Sequence, residues 1–220
     1  MSGNTYNGTI SGTLEKSLDS ARYNGSYVFT NSQYITCPVG AKVKDEITVN
    51  IWAHMDTWSN FNSSSMRLVS CTESGGWNFE PASNDSIAFA MGTGATSNTY
   101  KTVSGKTTLA SLSSGWHMFT GTYDGLSTKI YIDGKLDNTL SAYSTKTPIY
   151  YNSTNTIFVG AEAQGGMSPV STNKFSGKLS DFRIYGTALS SEDILELYKS
   201  GGSLDNKGNI YTGEYIEVDV

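Results

Sequence analysis

Two polar segments hold the side chains best suited to contact a small ligand rich in hydroxyl groups. Residues 56–65 and 73–84 are rich in Asn and Ser, and each contains one tryptophan. A tryptophan face can stack on a sugar ring, while amides and carboxylates can hydrogen-bond to its hydroxyl groups. The candidate ligand-binding residues are therefore Trp58, Asn60, Glu73, Trp77 and Asn78. The two tryptophans could equally be packing residues that cover a core, and the sequence leaves both interpretations open.

The chain has few side chains that are suited to acid–base catalysis or to metal binding. His54 and His117 are the only histidines, so a histidine base or a His-rich metal site has few candidates. We expect His117 to be hydrogen-bonded at the start of a strand and His54 to pack under a loop. Glu73 and Glu80 flank Trp77, but exposed loop carboxylates are more often solvated than catalytic. We therefore predict no catalytic residues and a protein that is not an enzyme.

These segments must be held by a scaffold of β-strands. Residues 47–55 alternate apolar and polar side chains, which is the pattern of a strand with one face on a core. Asp133 and Gly134 separate two short apolar runs, which predicts a tight hairpin. Further strand candidates, separated by Gly- and Ser-rich joints, are 26–29, 33–39, 67–72, 86–91, 116–123, 129–133 and 157–162. The sequence thus predicts an all-β fold, a two-sheet antiparallel β-sandwich.

One short helix is expected close to residue 200. Ser190 can cap its first turn, and Asp193 can return the bond in a capping box. Apolar side chains follow at helical spacing, and Gly201 suits a left-handed exit. A helix of this length is unstable alone, so we expect it to dock on a sheet.

Several stretches together resemble the laminin-G-like, concanavalin A-like jelly roll. Residues 177–190 resemble the family's last strand, which reads like G-K-I-D-D-V-R-I-Y and is followed by A-L-S and a brief helix. Residues 116–140 resemble its W-H-H-V-A-G-T-Y-D-G run and the Y-V-D-G hairpin that follows. Residues 47–56 resemble its f-T-v-s-f-W strand, and residues 2–12 resemble its opening S-G-N-G-N-H-G-T turn. The resemblance implies a jelly-roll domain over residues 1–200 with one short C-terminal helix.

The resemblance also implies where catalytic carboxylates and a metal ion would be found. Glycosidases built on this jelly roll carry an E-x-D-x-x-E strand, which holds acid and nucleophile about 5 Å apart. The most similar segment of this chain, residues 192–196, has a different spacing of carboxylates and lies on the expected helix. Many relatives hold a structural Ca²⁺ between the first turn and the acidic residues before the V-R-I-Y strand. Ser180 replaces the first acidic position, so Asp181 remains as the metal candidate, and we expect hydrogen bonds in place of calcium and no required cofactor.

Two segments resemble pieces of bacteriophage virion and tail proteins that contain laminin-G-like domains. They are residues 70–81 and residues 203–217, the latter within a C-terminal appendix or connector over 201–220. The appendix could form extended elements outside the sandwich, or fill an edge left vacant by the family's missing first strand. The resemblance implies a lectin-like module on the virion surface that binds a cell-surface glycan and contacts other virion proteins. Homo-oligomerisation would strengthen weak binding. The alternatives are a purely architectural virion module and an extracellular or cell-surface adhesin of a bacterium.

Composition narrows the range of partners. The net charge is −5, which disfavours nucleic acid and anionic lipid because both are polyanions. No stretch has the length and hydrophobicity of a membrane span, and the first residues lack a signal-peptide pattern. Cys37 and Cys71 are the only cysteines; we expect free buried thiols in neighbouring strands, with a disulfide as the alternative.

Overall fold

The computed structural model describes residues 4–5, 8–19, 25–37, 42–62, 66–72, 74–96, 99–153, 155–164, 168–169, 174–200 and 215–217. The strands in these residues, in chain order, are β1 (Asn4–Thr5), β2 (Thr9–Ser11), β3 (Glu15–Ser17), β4 (Ser26–Thr30), β5 (Tyr34–Cys37), β6 (Ile47–Met55), β7 (Val69–Cys71), β8 (Gly76–Pro81), β9 (Ser86–Gly92), β10 (Tyr100–Thr108), β11 (Gly115–Tyr123), β12 (Ser127–Ile132), β13 (Lys135–Ser141), β14 (Ile157–Val159), β15 (Ala163–Gln164), β16 (Ser168–Pro169), β17 (Ser176–Tyr185) and β18 (Tyr215–Glu217). The α-helix, α1, is Ser191–Ser200, and two 3₁₀ turns cover Trp58–Asn60 and Leu109–Ser111.

The strands form two facing sheets. The first has the order β1-β18-β17-β6-β11-β12-β13, with β4 also paired to β17 and β3 to β4. The second has the order β10-β9-β8-β7-β14-β5-β2, and β15 with β16 forms a separate hairpin. Neighbouring strands are antiparallel except for the β1–β18 pair, which is parallel. The predicted all-β antiparallel sandwich with one short helix is confirmed.

The core fills the space between the sheets with aromatic and branched side chains. Phe79 on β8 and Phe89 on β9 lie with ring centroids 4.9 Å apart. Phe89 also covers Gly121 of β11, where an added Cβ would lie 2.4 Å from the ring. Gly121 therefore lets the two sheets approach closely, because any larger residue would push the phenylalanine out of place.

Helix α1 begins at the capping box that the sequence predicts. Asp193 N donates to Ser190 Oγ at 3.1 Å, and Ser190 N donates to Asp193 Oδ2 at 3.2 Å. Tyr198 stacks on Trp52 of β6, with ring centroids 5.6 Å apart and an angle of 14° between the rings. The helix therefore docks on the outer face of the first sheet, as expected; Gly201 lies outside the described residues.

The prediction that β6 buries only one face is wrong. The burial pattern shows that both faces of this strand are covered along most of its length. Trp52 lies under α1, and Thr48 Oγ1 donates to the carbonyl oxygen of Thr187 at 2.7 Å. The helix and the segment that leads into it therefore build a second, smaller core on the outside of the sheet.

The tight hairpin between β12 and β13 is confirmed. Asp133 and Gly134 have φ angles of 51° and 77°, the left-handed values that a two-residue turn of this kind requires. The Asp133 carboxylate accepts a hydrogen bond from Met118 N at 2.9 Å, which ties the turn to the neighbouring strand β11.

Residues 215–217 lie within the first sheet. Strand β18 pairs antiparallel with residues 183–185 of β17 and parallel with Asn4 and Thr5 of β1. Residues 215–217 thus contribute a strand between β17 and β1 in the first sheet, and they do not lie outside the sandwich. Residues 201–214 lie outside the described ranges, and the division of the chain at residue 200 stays a prediction.

Cys37 and Cys71 are free and buried. They do not lie in neighbouring strands as expected, because β14 pairs with both β5 and β7 and separates them. Burial raises the pKa of each thiol to about 12, so both remain protonated and behave as small apolar core residues.

Candidate functional site

A cleft of about 330 Å³ opens on the outer face of the second sheet. Strand β8 explains its polar floor, because Trp77 and Phe79 point into the core while Asn78 and Glu80 point outward. The described residues that line the cleft are Arg67, Thr72, Ser74, Asn78, Glu80, Ala90, Tyr100, Thr102 and Glu162. They come from β8, β9 and β10, from the loops on either side of β7 and from the segment between β14 and β15.

The middle of the floor is a row of side chains across three strands. Asn78 of β8 pairs with Ala90 of β9, which pairs with Thr102 of β10. The small Ala90 leaves space above the sheet between the two polar residues. Asn78 is 4% exposed, and its Oδ1 has no hydrogen-bond partner among the described residues. The same is true of Thr72 Oγ1, in a residue that is 5% exposed.

Arg67 forms one end of the cleft and joins its two carboxylates. Its Nη2 donates to Glu162 Oε1 at 2.6 Å and lies 3.0 Å from Glu80 Oε2. Its Nη1 donates to the carbonyl oxygen of Met66 at 2.8 Å. Only 7% of the Arg67 side chain is exposed, against 24% for Glu80 and 20% for Glu162. The guanidinium therefore acts as a buried clamp, and the carboxylates are the charged groups that solvent or a ligand reaches.

Tyr100 supplies the aromatic ring among the described lining residues. Its hydroxyl donates to the carbonyl oxygen of Gly75 at 2.5 Å and accepts from Gly75 N at 3.1 Å. Ser74, which precedes Gly75, has a left-handed φ of 61°. The loop after β7 is thus fastened to the start of β10, and this contact fixes the position of the ring beside the floor.

The described lining residues of the cleft carry more negative than positive charge. They include two carboxylates and one guanidinium, and the guanidinium is within ion-pair distance of both carboxylates. Its described polar groups combine the acceptor oxygens of Glu80, Glu162 and Asn78 with the hydroxyls of Thr72, Ser74 and Thr102, which donate or accept. Such a surface can bind hydroxyl groups through cooperative hydrogen bonds.

The aromatic platform expected from Trp58 and Trp77 is not formed, because both indoles lie in the core. Trp58 is 2% exposed and packs edge-on against Phe119, with ring centroids 5.1 Å apart. Trp77 is 0% exposed, and its Nε1 donates to Tyr151 Oη at 3.1 Å. Each indole buries its ring in the sandwich and satisfies its N–H internally, which is the packing alternative that the sequence left open.

Of the remaining sequence candidates, the structure brings only Asn78 to the cleft. Asn60 is exposed in the 3₁₀ turn next to Trp58 and does not line it. Glu73 lies outside the described residues. The alternation along β8 could have identified Asn78 and Glu80 as outward-facing partners. No local signal links Arg67 to Glu162, which lies 95 residues further along the chain.

The two histidines lie away from the cleft, in structural settings. His117 is 7% exposed; its Nδ1 lies 2.7 Å from Asp133 Oδ2 and its Nε2 lies 3.1 Å from the carbonyl oxygen of Ser113. Burial acts to lower the pKa of His117, but the Asp133 carboxylate and the Ser113 carbonyl outweigh it and raise the pKa above its usual value. His54 packs edge-on against Trp116, with ring centroids 5.4 Å apart. The expected structural role of His117 is confirmed.

Asp181, the metal candidate, lies at an irregularity of β17 with a φ of 51°. Its Oδ1 is 2.7 Å from Nε of Arg183, so a guanidinium stands beside the carboxylate. The described residues contain no group of three or more His, Cys, Asp or Glu side chains arranged to hold a metal. Most of the opening turn lies outside the described ranges, and the replacement of calcium by hydrogen bonds stays a prediction.

Within the described ranges, no helix has the length and apolar character needed to cross a bilayer.

The chain resembles solved structures in fold. Domain 4 of AbnA, an extracellular arabinanase from Geobacillus stearothermophilus solved with arabinotriose, shares 15% identity at a TM-score of 0.67, with 87% of each chain covered. The binding domain of botulinum neurotoxin serotype G shares 20% identity at a TM-score of 0.62, covering 89% of this chain and 47% of the toxin domain. A type C botulinum neurotoxin structure, described with cell entry dependent on two ganglioside molecules, shares 17% identity at a TM-score of 0.64 and the same coverage.

The present chain therefore spans a little under half of these toxin domains, and at such identities the likeness establishes the fold alone. No match was found among curated protein sequences. A family model, described as the Concanavalin A-like lectin/glucanases superfamily, matches residues 29–195. That match spans most of the chain, agrees with the observed sandwich and includes every described residue of the cleft. The chain belongs to the Concanavalin A-like lectin/glucanases superfamily.

Proposed function

We propose that this domain is a carbohydrate-binding module and that the cleft on the second sheet is its binding site. The observation that carries the proposal is the Arg67 clamp, which holds Glu80 and Glu162 beside the buried amide of Asn78. Family membership and the arabinotriose-bound arabinanase domain support a sugar as the ligand. A ganglioside-dependent toxin of the same fold gives similar support.

The chemistry of the cleft suits a sugar because each hydroxyl group both donates and accepts a hydrogen bond. Glu80, Glu162 and Asn78 offer acceptor oxygens on side chains held in place by packing or ion pairs. Tyr100 offers a ring edge or face to the apolar side of a sugar. Rigid polar groups of this kind lower the entropy lost on binding.

The biological setting that we propose is the surface of a phage virion, where the module attaches to a host cell-surface glycan. This proposal rests on the resemblance of residues 70–81 and 203–217 to phage structural proteins. Other virion proteins and further copies of the chain would then be its partners, and several copies would strengthen weak binding. An extracellular bacterial adhesin would use the same cleft, whereas an architectural virion module would not need it.

Glycoside hydrolysis is a second candidate function, because the carboxylates of Glu80 and Glu162 lie close together. Glu80 Oε2 and Glu162 Oε1 both contact Arg67 Nη2, at 3.0 and 2.6 Å, so they are no further apart than the sum of these distances. Retaining glycosidases hold their two carboxyl groups about 5 Å apart. A retaining glycosidase places its substrate between the two carboxyl groups, however, whereas the Arg67 guanidinium lies between Glu80 and Glu162 here. We therefore propose binding without catalysis.

The test is binding of the purified, labelled domain to a microbial glycan array and to intact bacteria. We expect saturable binding that is lost in Asn78→Ala and reduced in Glu80→Gln. Asn60→Ala and Glu196→Gln are matched controls, since both residues are exposed outside the cleft, and they should bind normally. Binding that is unaffected by the cleft variants would place the site elsewhere. Reducing ends released from a bound oligosaccharide would identify an enzyme instead.

A further inference from the structure

We propose that the cleft selects uncharged glycans with hydroxyl groups available as donors and excludes glycans that carry carboxylate, sulfate or phosphate at the bound sugar. This inference rests on the proposed function, because it concerns the ligand of the same cleft. It follows from two independent features, the charge of the described lining residues and the buried Asn78 Oδ1 on the floor, an acceptor that has no partner among the described residues.

The charge of the lining opposes an acidic sugar. Arg67 is the cationic side chain among the described lining residues, and its Nη2 lies within 3.0 Å of both Glu80 and Glu162. An anionic sugar would approach a guanidinium already neutralised by two carboxylates, and it would meet those carboxylates at short range. Like charges in a partly buried site repel strongly, because the low local dielectric screens them poorly. The overall charge of −5 adds to this repulsion at longer range.

The floor requires hydrogen-bond donors from the ligand. Asn78 Oδ1 and Thr72 Oγ1 have no partner among the described residues, and both side chains are more than nine-tenths buried. A buried acceptor without a donor is unfavourable, and a ligand that supplies the donor recovers that loss. A sugar hydroxyl can donate to Asn78 and to the carboxylates, whereas an ionised acid group can only accept. At the position of the acid group, a neutral sugar therefore supplies a donor to Asn78 that an ionised acid group does not.

The size of the cleft restricts the length of glycan that it encloses. Its volume of about 330 Å³ is at the low end of the range of about 300–1,000 Å³ that ligand sites show. One or two sugar residues fill such a space, so the selection acts on the terminal or locally exposed sugar and leaves the rest of a polysaccharide in solvent.

The experiment compares pairs of sugars that differ only in an acid group, such as glucose against glucuronic acid, or galactose against galacturonic acid. Titration calorimetry of the whole chain gives the affinities. We expect the acidic member of each pair to bind at least about tenfold more weakly. Its binding should improve between about 50 mM and about 500 mM NaCl, because salt screens the repulsion. The affinity of the neutral member should stay constant.

Two variants connect this discrimination to the cleft. Glu80→Gln keeps the size of the side chain but removes one negative charge, so it should reduce the difference in affinity between the neutral and the acidic sugar of each pair. Asn78→Asp adds a negative charge and should increase this difference in affinity. Asn60→Asp adds the same charge outside the cleft and should leave the difference unchanged. Circular dichroism and the melting temperature establish that each variant is folded.

The possible failures are distinguishable. Tighter binding of acidic glycans, weakened by salt, would overturn this inference and leave the proposed carbohydrate-binding function standing. A folded domain that binds no glycan of either kind would overturn both.

Discussion

Arg67 and Glu162 are joined by a 2.6 Å ion pair across 95 residues of sequence. Arg67 lies just before β7, and Glu162 lies just before β15, beyond the strand that pairs with β7. The same guanidinium reaches Glu80 on β8. The Arg67 guanidinium therefore holds together the segment before β7, strand β8 and the segment after β14 at one end of the cleft.

Replacing Arg67 by Met should destabilise the fold and abolish glycan binding. The change leaves Glu80 and Glu162 close together without the guanidinium between them, and loss of one partner from a buried ion pair costs about 3–5 kcal/mol. Partial exposure of the two carboxylates puts the expected loss at the lower end of that range. Urea unfolding gives the free energy, and calorimetry gives the affinity.

The matched control is Lys178→Met, which breaks the more exposed pair with Asp19. It should cost less than about 1 kcal/mol, because exposed ion pairs contribute little. Equal losses for the two variants would show that Arg67 has no special role in the structure.

Trp77→Ala should unfold or strongly destabilise the domain. The indole is fully buried, and its N–H donates to the Tyr151 hydroxyl, so truncation leaves a large cavity and removes this hydrogen bond. Losses of about 3–5 kcal/mol are typical of such changes. Trp58→Ala should destabilise the domain to a similar extent. Tyr150→Ala, at a residue that is 38% exposed, should lower the free energy of unfolding much less. A Trp77→Ala protein with native stability that has lost only glycan binding would contradict the core position.

Stability should fall as the pH rises from about 6 to about 8 through the titration of His117. Its pKa is higher in the folded protein than the reference value of 6.5, because Asp133 and Ser113 favour the protonated ring. The protonated form is thus bound more tightly in the native state. Its contribution is complete below the unfolded pKa and is lost as the pH passes through the folded pKa.

The measurement is urea unfolding of wild type and His117→Gln at pH values across this range. The difference in unfolding free energy between the two proteins should shrink as the pH rises. A difference that stays constant, or grows, would mean that the Asp133 contact does not stabilise the charged imidazole.

Ser190→Ala should destabilise the protein by about 1 kcal/mol, because the Ser190 hydroxyl accepts the Asp193 N–H at the start of α1. Hydrogen exchange of the first helical turn should rise in the variant. Ser141→Ala, at an exposed position on β13, is the control and should leave exchange in the helix unchanged. If both variants melt alike, the cap does not contribute to the docking of α1.

Chelation should leave the melting temperature unchanged, since Arg183 already stands beside the Asp181 carboxylate. Differential scanning calorimetry with EDTA, followed by added Ca²⁺, measures this. Asp181→Asn tolerates the left-handed backbone but removes the charge, so it should lower stability with or without EDTA. A drop of several degrees with EDTA in wild type alone would reveal a structural calcium ion.

The sequence by itself determined the local elements of this protein. Alternation along β6, the Asp133-Gly134 turn and the Ser190–Asp193 capping box each depend on residues a few positions apart. The periodicity of side chains and the dihedral angles of a turn are local properties, so the strand, the turn and the helix start agree with the structure. The burial of both faces of β6 does not follow from them, because it depends on the docking of α1. The family motifs added the jelly-roll class of the sandwich.

Only the tertiary structure decided which surfaces are buried and where the cleft lies. Trp58 and Trp77 occur in polar, turn-rich segments, yet both indoles lie in the core, Trp77 through the alternation of β8 and Trp58 from the 3₁₀ turn that packs on Phe119. Arg67 meets Glu80 and Glu162 only because β7, β8 and β14 pair side by side. Local sequence does not predict contacts between segments that are distant in the chain, because those contacts depend on the order and register of the strands in the sheet.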